Sequence, residues 1–231
     1  MARPKSDSSK IAFNTIREKI NRFELMPGST VSDLAISQEL DMSRTPVREA
    51  IFKLVECHLI EREKNRFVVC PIEIEDIREI LQTREAIECM AVRSIIAGGG
   101  PPERSLQELR MFASDMEACL AARHLATYFQ RDGQFHVKLV ELAGNVRMTD
   151  VASQMQLQGE RLRCLSVLTH DRCVAILREH GQILSALEEM DLPVAEQAIR
   201  LHLTNTLRNY QYILAGKTWV DMLATLQGTF S

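Results

Sequence analysis

The stretch DGQFH at 132–136 carries an Asp and a His four residues apart. On a helix that spacing places both side chains on one face, one turn apart. Tyr128, Phe129, Phe135, Leu139 and Val140 mark the same face as apolar. An ionised carboxylate turned towards a core costs on the order of several kcal/mol unless something pairs with it. Two more histidines repeat the pattern. His180 falls on the stripe Ile176, Ile183, Leu184, Leu187, and His202 on the stripe Ala195, Ile199, Thr206. One carboxylate and three imidazoles suit Zn²⁺, Ni²⁺ or Mn²⁺, and such a cation would neutralise Asp132. The residue types leave a second reading open, a buried hydrogen-bonded cluster without metal. His58, His124 and His170 fall near element ends or turns, where none need be buried.

Arg84 is the other charged residue on an apolar stripe, among Ile77, Ile80, Leu81, Ile87 and Ala91. It pairs with a buried Glu such as Glu88, or it clamps the carboxylate of a ligand bidentately. Arg161 and Arg163 border an apolar stripe, and their role is open. Asn145, after Ala-Gly, reads as a helix C-cap, with a contact to an effector as the alternative. Gly133 inside the DGQFH helix costs about 1 kcal/mol relative to Ala, and nothing in the sequence accounts for it.

Long amphipathic helices must carry these residues. The periodicity predicts them near 74–97, 103–121, 124–143, 147–168, 171–190 and 193–215, separated by GGGPP, AGN and DLP. No strand pattern interrupts them, so residues 73–231 read as an all-α bundle. The tail GKTWVDMLATLQGTFS (216–231) adds at most a short helix.

Residues 1–72 follow a different grammar. IAFNTIREKINRF reads as a helix ending at the turn MPGS, and Ser32 caps a short helix through Leu40. Thr45 as N-cap with Pro46 at the first helical position starts a third helix, whose buried stripe is Val47, Ala50, Ile51 and Leu54. LIEREKNRFVVCP then reads as two strands about a turn at Lys64 and Asn65, with Asn supplying the left-handed residue. Three short helices and a hairpin describe a winged helix-turn-helix. Arg44, Thr45 and Arg48 cluster at the start of its third helix, off the buried stripe. A recognition helix offers base contacts from that end. Ser43 and Thr45 suit phosphates, and Lys64, Asn65 and Arg66 extend the surface along the wing.

Composition fits a soluble, ordered protein: 45% hydrophobic, 26% charged, net charge −3. Residues 1–72 hold 12 Lys/Arg against 10 Asp/Glu, whereas the rest hold 16 against 21. A basic head on an acidic body agrees with nucleic-acid binding. Six scattered cysteines (57, 70, 89, 119, 164 and 173) without a CxxC pair suit reduced thiols. The opening MARPKSDSSK lacks the apolar core of a signal peptide, and no apolar run approaches the ~18 residues of a membrane span. A cytoplasmic location, with no membrane contact, is expected.

The stretch PGSTVSDLAISQELDMSRTPVREAIFKLVECHLIE, and SRTPVREA at 43–50 above all, resembles the GntR superfamily of bacterial transcription regulators over about residues 11–71. The chain departs from that family at its wing turn, KNRF, where a glycine is common. The DxxxH motif with REHGQILSAL, AIRLHL and LQTREAIECMA is similar to the FCD effector domain of the FadR subgroup over about 75–215. The resemblance implies that Asp132, His136, His180 and His202 ligate a divalent metal, zinc foremost, and that Arg84 holds a small organic acid. It implies a ligand-responsive regulator of palindromic double-stranded DNA, and helix-turn-helix regulators commonly bind such sites as two-fold homodimers. Two rivals use the same residues. In a metalloregulator the metal itself is the signal. In a metal-dependent hydrolase with a DNA-binding appendage it activates water, although no HExxH motif or nucleophile–base pair accompanies it.

Overall fold

A computed structural model describes residues 5–165 and 170–216, so the tail beyond 216 and the end of the predicted 147–168 helix lie outside the described residues. The chain forms two compact units, Met1–Ile72 and Glu73–Ser231.

The first unit contains α1 (Lys5–Asn21), β1 (Thr30–Val31), α2 (Asp33–Glu39), α3 (Arg44–Glu56), β2 (Ile60–Glu63) and β3 (Arg66–Val69). Its core gathers Ile16 and Ile20 of α1, Ile36 of α2 and the predicted stripe Val47, Ala50, Ile51, Leu54 of α3. Burying a Val, Leu or Ile side chain contributes roughly 1.5–3 kcal/mol, so these residues hold the three short helices together. Ser32 caps α2 as its sequence predicts: its Oγ accepts from the Ala35 N–H at 3.2 Å. The start of α3 differs. Ser43, not Thr45, is the extended residue before the helix, and it makes no side-chain capping bond. Pro46 therefore occupies the third helical position. Its missing N–H costs nothing there, because the first turn's N–H groups have no intrahelical acceptor.

The hairpin is as expected, with Glu63 opposite Arg66 across the two-residue turn. Lys64, not Asn65, takes the left-handed conformation (φ 53°). This is where a glycine would cost least, and a lysine there pays roughly 1–2 kcal/mol of backbone strain. A third strand, β1, pairs antiparallel with β3 to give the order β1-β3-β2. Two residues are too few to show alternation, so the sequence carries no signal for it.

The second unit is helical throughout its described residues: α4 (Ile74–Ala97), α5 (Glu103–Ala121), α6 (Leu125–Glu141), α7 (Val146–Leu165), α8 (His170–Glu188) and α9 (Leu192–Gly216). The breakers do what their chemistry allows. Gly99, Gly100 and Gly144 take positive φ after α4 and α6, and Asp191 Oδ1 accepts from the Val194 N–H to cap α9. Helix α6 packs on α5, α7 and α4, while α9 packs on α4 and α8. The apolar faces of α4, α6, α8 and α9 thus share one interior. No helix among the described residues is long and apolar enough to cross a membrane.

Candidate metal and effector site and DNA-reading surface

In the first unit, Ser43, Arg44, Thr45 and Arg48 are all exposed, as are Lys64, Asn65 and Arg66 on the wing. Helix α3 buries its stripe on one side and leaves its charged N-terminal end open on the other. The arginines are not idle. Arg44 Nη2 donates to both carboxylate oxygens of Asp33, at 2.8 and 2.9 Å, and Arg48 Nε lies 3.6 Å from Asp33 Oδ2.

In the second unit, α6, α8 and α9 bring His136, His180 and His202 together in the core, with one ligand atom from each within 4.8 Å of the others. Their ring centroids are 5.0, 5.0 and 5.1 Å apart, and Phe135 stacks on His180 at 4.1 Å. The Nε2 atoms of His136 and His180 face each other at 3.2 Å. Asp132 Oδ1 lies 3.5 Å from His180 Nε2 and 4.0 Å from His136 Nε2. All four residues are at most 5% exposed.

His136, His202 and Asp132 each have a second partner behind them, whereas the Nδ1 of His180 is buried without one. Glu88 Oε2 is 3.0 Å from His136 Nδ1, and Glu179 Oε2 is 2.7 Å from His202 Nδ1. A carboxylate can only accept, so these bonds put the proton on Nδ1 and leave Nε2 as a bare lone pair. Carboxylates behind ligating histidines do this in metal sites generally. Glu179 is itself fixed by Arg172, whose Nη1 and Nη2 donate to its two oxygens at 2.6 and 2.8 Å, and by Asn205 Nδ2 at 2.9 Å. Asp132 Oδ2 accepts from Arg163 Nε at 2.7 Å, whereas Asp132 Oδ1, equally buried, accepts from no donor in the protein. An orphaned carboxylate oxygen beside bare imidazole nitrogens is the donor set a divalent cation fits.

Electrostatics agree with that set. Burial pushes the His180 imidazole down to about 3, against the pull of Asp132. Burial and then Arg84 hold His136 well below its ordinary value. Both rings are therefore neutral at pH 7, the form that binds metal. For Asp132, burial pushes the carboxyl up. Arg163 and the imidazoles outweigh it and keep the group below the ordinary carboxylate range. Glu179 is held at about 2, because its bonds from His202 and Arg172 overcome burial.

Arg84 is 9% exposed, and its Nε donates to Glu88 Oε1 at 2.9 Å. The pairing with Glu88 is thus realised, yet Arg84 Nη2 is buried with no acceptor in the protein. A small cavity beside the cluster is bounded by Arg84, Glu88, His136, Gln156 and Arg163, with Ile87 and Val140 among its apolar walls. The volume open to a water molecule's centre is about 10 Å³, room for about one water. Gln156 also accounts for Gly133. A Cβ at 133 would lie 2.0–2.3 Å from the Gln156 amide, so the absent side chain is the seat of that amide. Its Oε1 is buried without a donor.

Asn145 is corrected. It is exposed and stands before α7, its Oδ1 accepting from the Met148 N–H at 3.3 Å. It caps the start of α7 rather than the end of α6, where Gly144 (φ 69°) turns the chain instead, and it does not line the cavity. Glu179, Arg172 and Gln156 were missed in the sequence. For the first two a signal exists: Arg172, Ile176, Glu179 and Ile183 follow the same helical spacing that singles out His180.

A winged helix-turn-helix unit in the same chain as an all-helical unit defines a class of DNA-binding transcription regulators. The FCD domain model matches residues 79–205, and the model of bacterial regulatory proteins of the gntR family matches residues 9–69. The chain belongs to the GntR family of transcription regulators that carry an FCD domain. It is 28% identical over 192 residues to the HTH-type transcriptional repressor RspR of Escherichia coli K12, covering 83% of each chain. It is 23% identical over 207 residues to the HTH-type transcriptional regulator YdhC of Bacillus subtilis, covering 87% of this chain and 90% of that one. Among solved structures, E. coli McbR/YncC shares the fold at a TM-score of 0.74 with 17% identity, over 91% of this chain and 99% of that one. The family and the two curated relatives are transcription regulators and not enzymes, which removes the hydrolase reading.

Proposed function

We propose that this GntR-family regulator is a cytoplasmic homodimer whose helical unit holds a divalent metal and a small carboxylate effector that together set its affinity for a palindromic operator. His136, His180, His202 and Asp132 would hold the ion, zinc foremost with nickel or manganese as alternatives. The single observation that carries this is the buried Asp132 Oδ1, without a donor, 3.5 Å from His180 Nε2. Such an ion would supply a Lewis-acidic partner for one end of an organic acid. Arg84 presents its unpartnered Nη2 to that acid, while Glu88 keeps both Arg84 and His136 in place. An acid needs more room than the cavity's about 10 Å³. The Gln156 amide, the far end of a flexible side chain, is the wall that yields. Filling the pocket shifts the operator equilibrium only if the acid binds the DNA-competent and DNA-incompetent arrangements unequally.

On the DNA side, Arg44 and Arg48 read base edges, Ser43 and Thr45 meet phosphates, and Lys64, Asn65 and Arg66 follow the backbone from the wing. The presence of Arg84 on the cavity wall favours an organic signal over metal alone. Elemental analysis of protein purified without chelator or a His-tag tests the first step. About one zinc, nickel or manganese per chain is expected in the wild type, with loss in Asp132→Ala and His180→Ala. Metal-free wild type that stays metal-free after incubation with each ion would leave the cluster as a hydrogen-bonded core.

A further inference from the structure

Among the described residues, Asp33 is the acidic side chain that pairs with both Arg44 and Arg48. It is the first residue of α2, behind the Ser32 cap. Its side chain is 16% exposed, whereas those of Arg44 and Arg48 are 56% and 54% exposed. The two arginines, one helical turn apart on α3, therefore share one carboxylate. Arg44 hydrogen-bonds Asp33 through Nη2, and Arg48 Nε lies 3.6 Å from Asp33 Oδ2, beyond hydrogen-bond distance. Each guanidinium has five N–H donors, so most of each fork stays open while the ion pair is intact.

That leftover capacity decides what Asp33 does when DNA arrives. Non-specific binding is carried by phosphate contacts. An arginine that turns to a phosphate exchanges one anion for another, and leaves Asp33 unpaired near a polyanion. A guanine edge is neutral and takes only two N–H groups of one fork, so an arginine can meet it without giving up Asp33. One carboxylate thus opposes phosphate-only engagement and tolerates base engagement. We propose that Asp33 is a specificity-determining residue, which holds Arg44 and Arg48 for base edges and lowers affinity for unrelated DNA. This rests on the reading that the start of α3 meets the bases.

The test uses the full-length protein and fluorescence anisotropy on two duplexes at several salt concentrations. One duplex is the operator recovered by the wild type from a randomised pool, and the other is of unrelated sequence and equal length. Asp33→Asn keeps the side chain's size and removes its charge. Glu49→Gln removes one exposed acidic charge from α3 itself and controls for net charge. Asp33→Asn is expected to tighten binding to the unrelated duplex about tenfold more than binding to the operator, a change of about 1.4 kcal/mol in the ratio, while Glu49→Gln tightens both equally. A ratio that moves no more in Asp33→Asn than in Glu49→Gln would overturn the proposal. The underlying reading fails separately: Arg44→Ala and Arg48→Ala would then keep the wild-type preference for the operator.

Discussion

Both units of the chain pair arginine with carboxylate, but under opposite conditions. In the head, Arg44 and Arg48 meet Asp33 with more than half of each arginine side chain in water. In the bundle, Arg172 meets Glu179, Arg84 meets Glu88 and Arg163 meets Asp132 with every partner at most 10% exposed. An exposed pair contributes roughly 0–1 kcal/mol and breaks readily. A buried pair is costly to assemble, and removing one partner strands a charge in a low-dielectric interior. The pairs on Asp33 are therefore easily rearranged. The three buried pairs of the bundle are built to stay, and they hold imidazoles in one orientation.

The largest effect expected from this contrast is at Arg172. Its guanidinium donates twice to Glu179, once to Thr206 Oγ1 at 2.9 Å and once to the His202 carbonyl at 3.3 Å. Arg172→Ala leaves the Glu179 carboxylate with His202 and Asn205 alone. A loss of about 3–5 kcal/mol is expected, read as a drop in the urea midpoint of the metal-free protein. A loss below about 1 kcal/mol would place this pair with the exposed ones and erase the distinction.

Acid separates the regions next. The bundle's His136 and His180 are held below their ordinary value, His180 at about 3. The unfolded chain protonates these rings near 6.5, so below that pH the unfolded state binds more protons than the folded one. Stability then falls with falling pH. A second loss follows below about pH 4, as protonation of unfolded carboxylates removes the contributions of Asp132 and of Glu179, held at about 2. The head's only histidine, His58, is exposed. In metal-free protein, hydrogen exchange corrected for intrinsic rates is expected to lose protection in α6, α8 and α9 between pH 7 and 5 while α1–α3 keep theirs. Equal losses in both regions would contradict the assignment of the acid-sensitive groups.

The same contrast explains what the sequence made legible. Apolar residues at helical spacing reveal which face is buried, so α3 and the six bundle helices follow from periodicity, and the three histidines stand out as polar interruptions. What periodicity leaves out is which partner each interruption has. Arg163 sits 31 residues from Asp132 and Glu179 sits 23 from His202, pairings set only by packing. The cap of α3 lies two residues before the expected Thr45, and Asn145 serves the start of α7 instead of the end of α6, because Ser, Thr, Asn and Pro are tolerated at several positions around a helix end. Gly133 was opaque for a related reason: a glycine in a helix announces a close neighbour but does not name it.

Gly133→Ala tests how firmly that neighbour is held. Alanine gains about 1 kcal/mol of helix propensity, and its Cβ displaces the Gln156 amide, the end of a flexible side chain rather than backbone. The expected net change in unfolding free energy is within about 1 kcal/mol. A loss on the scale of Arg172→Ala would mean that Gln156 is as fixed as the buried ion pairs, and that the cavity does not open at this wall.

The smallest effect on stability is expected at Arg44. Its pair with Asp33 is exposed, so Arg44→Ala should alter the urea midpoint by less than about 0.5 kcal/mol. Its effect on DNA should be larger and local. A bidentate arginine–guanine contact discriminates by about 1–3 kcal/mol, and losing it relaxes preference at one position in each half-site. Loss of a phosphate contact instead weakens binding to all sequences alike and lowers the salt slope by about 1. Binding of Arg44→Ala to a set of singly substituted operators, at matched salt, separates the two. Relaxed preference at one position with an unchanged salt slope assigns Arg44 to a base edge. A uniform loss assigns it to the backbone and passes the burden of sequence reading to Arg48, which shares the same carboxylate.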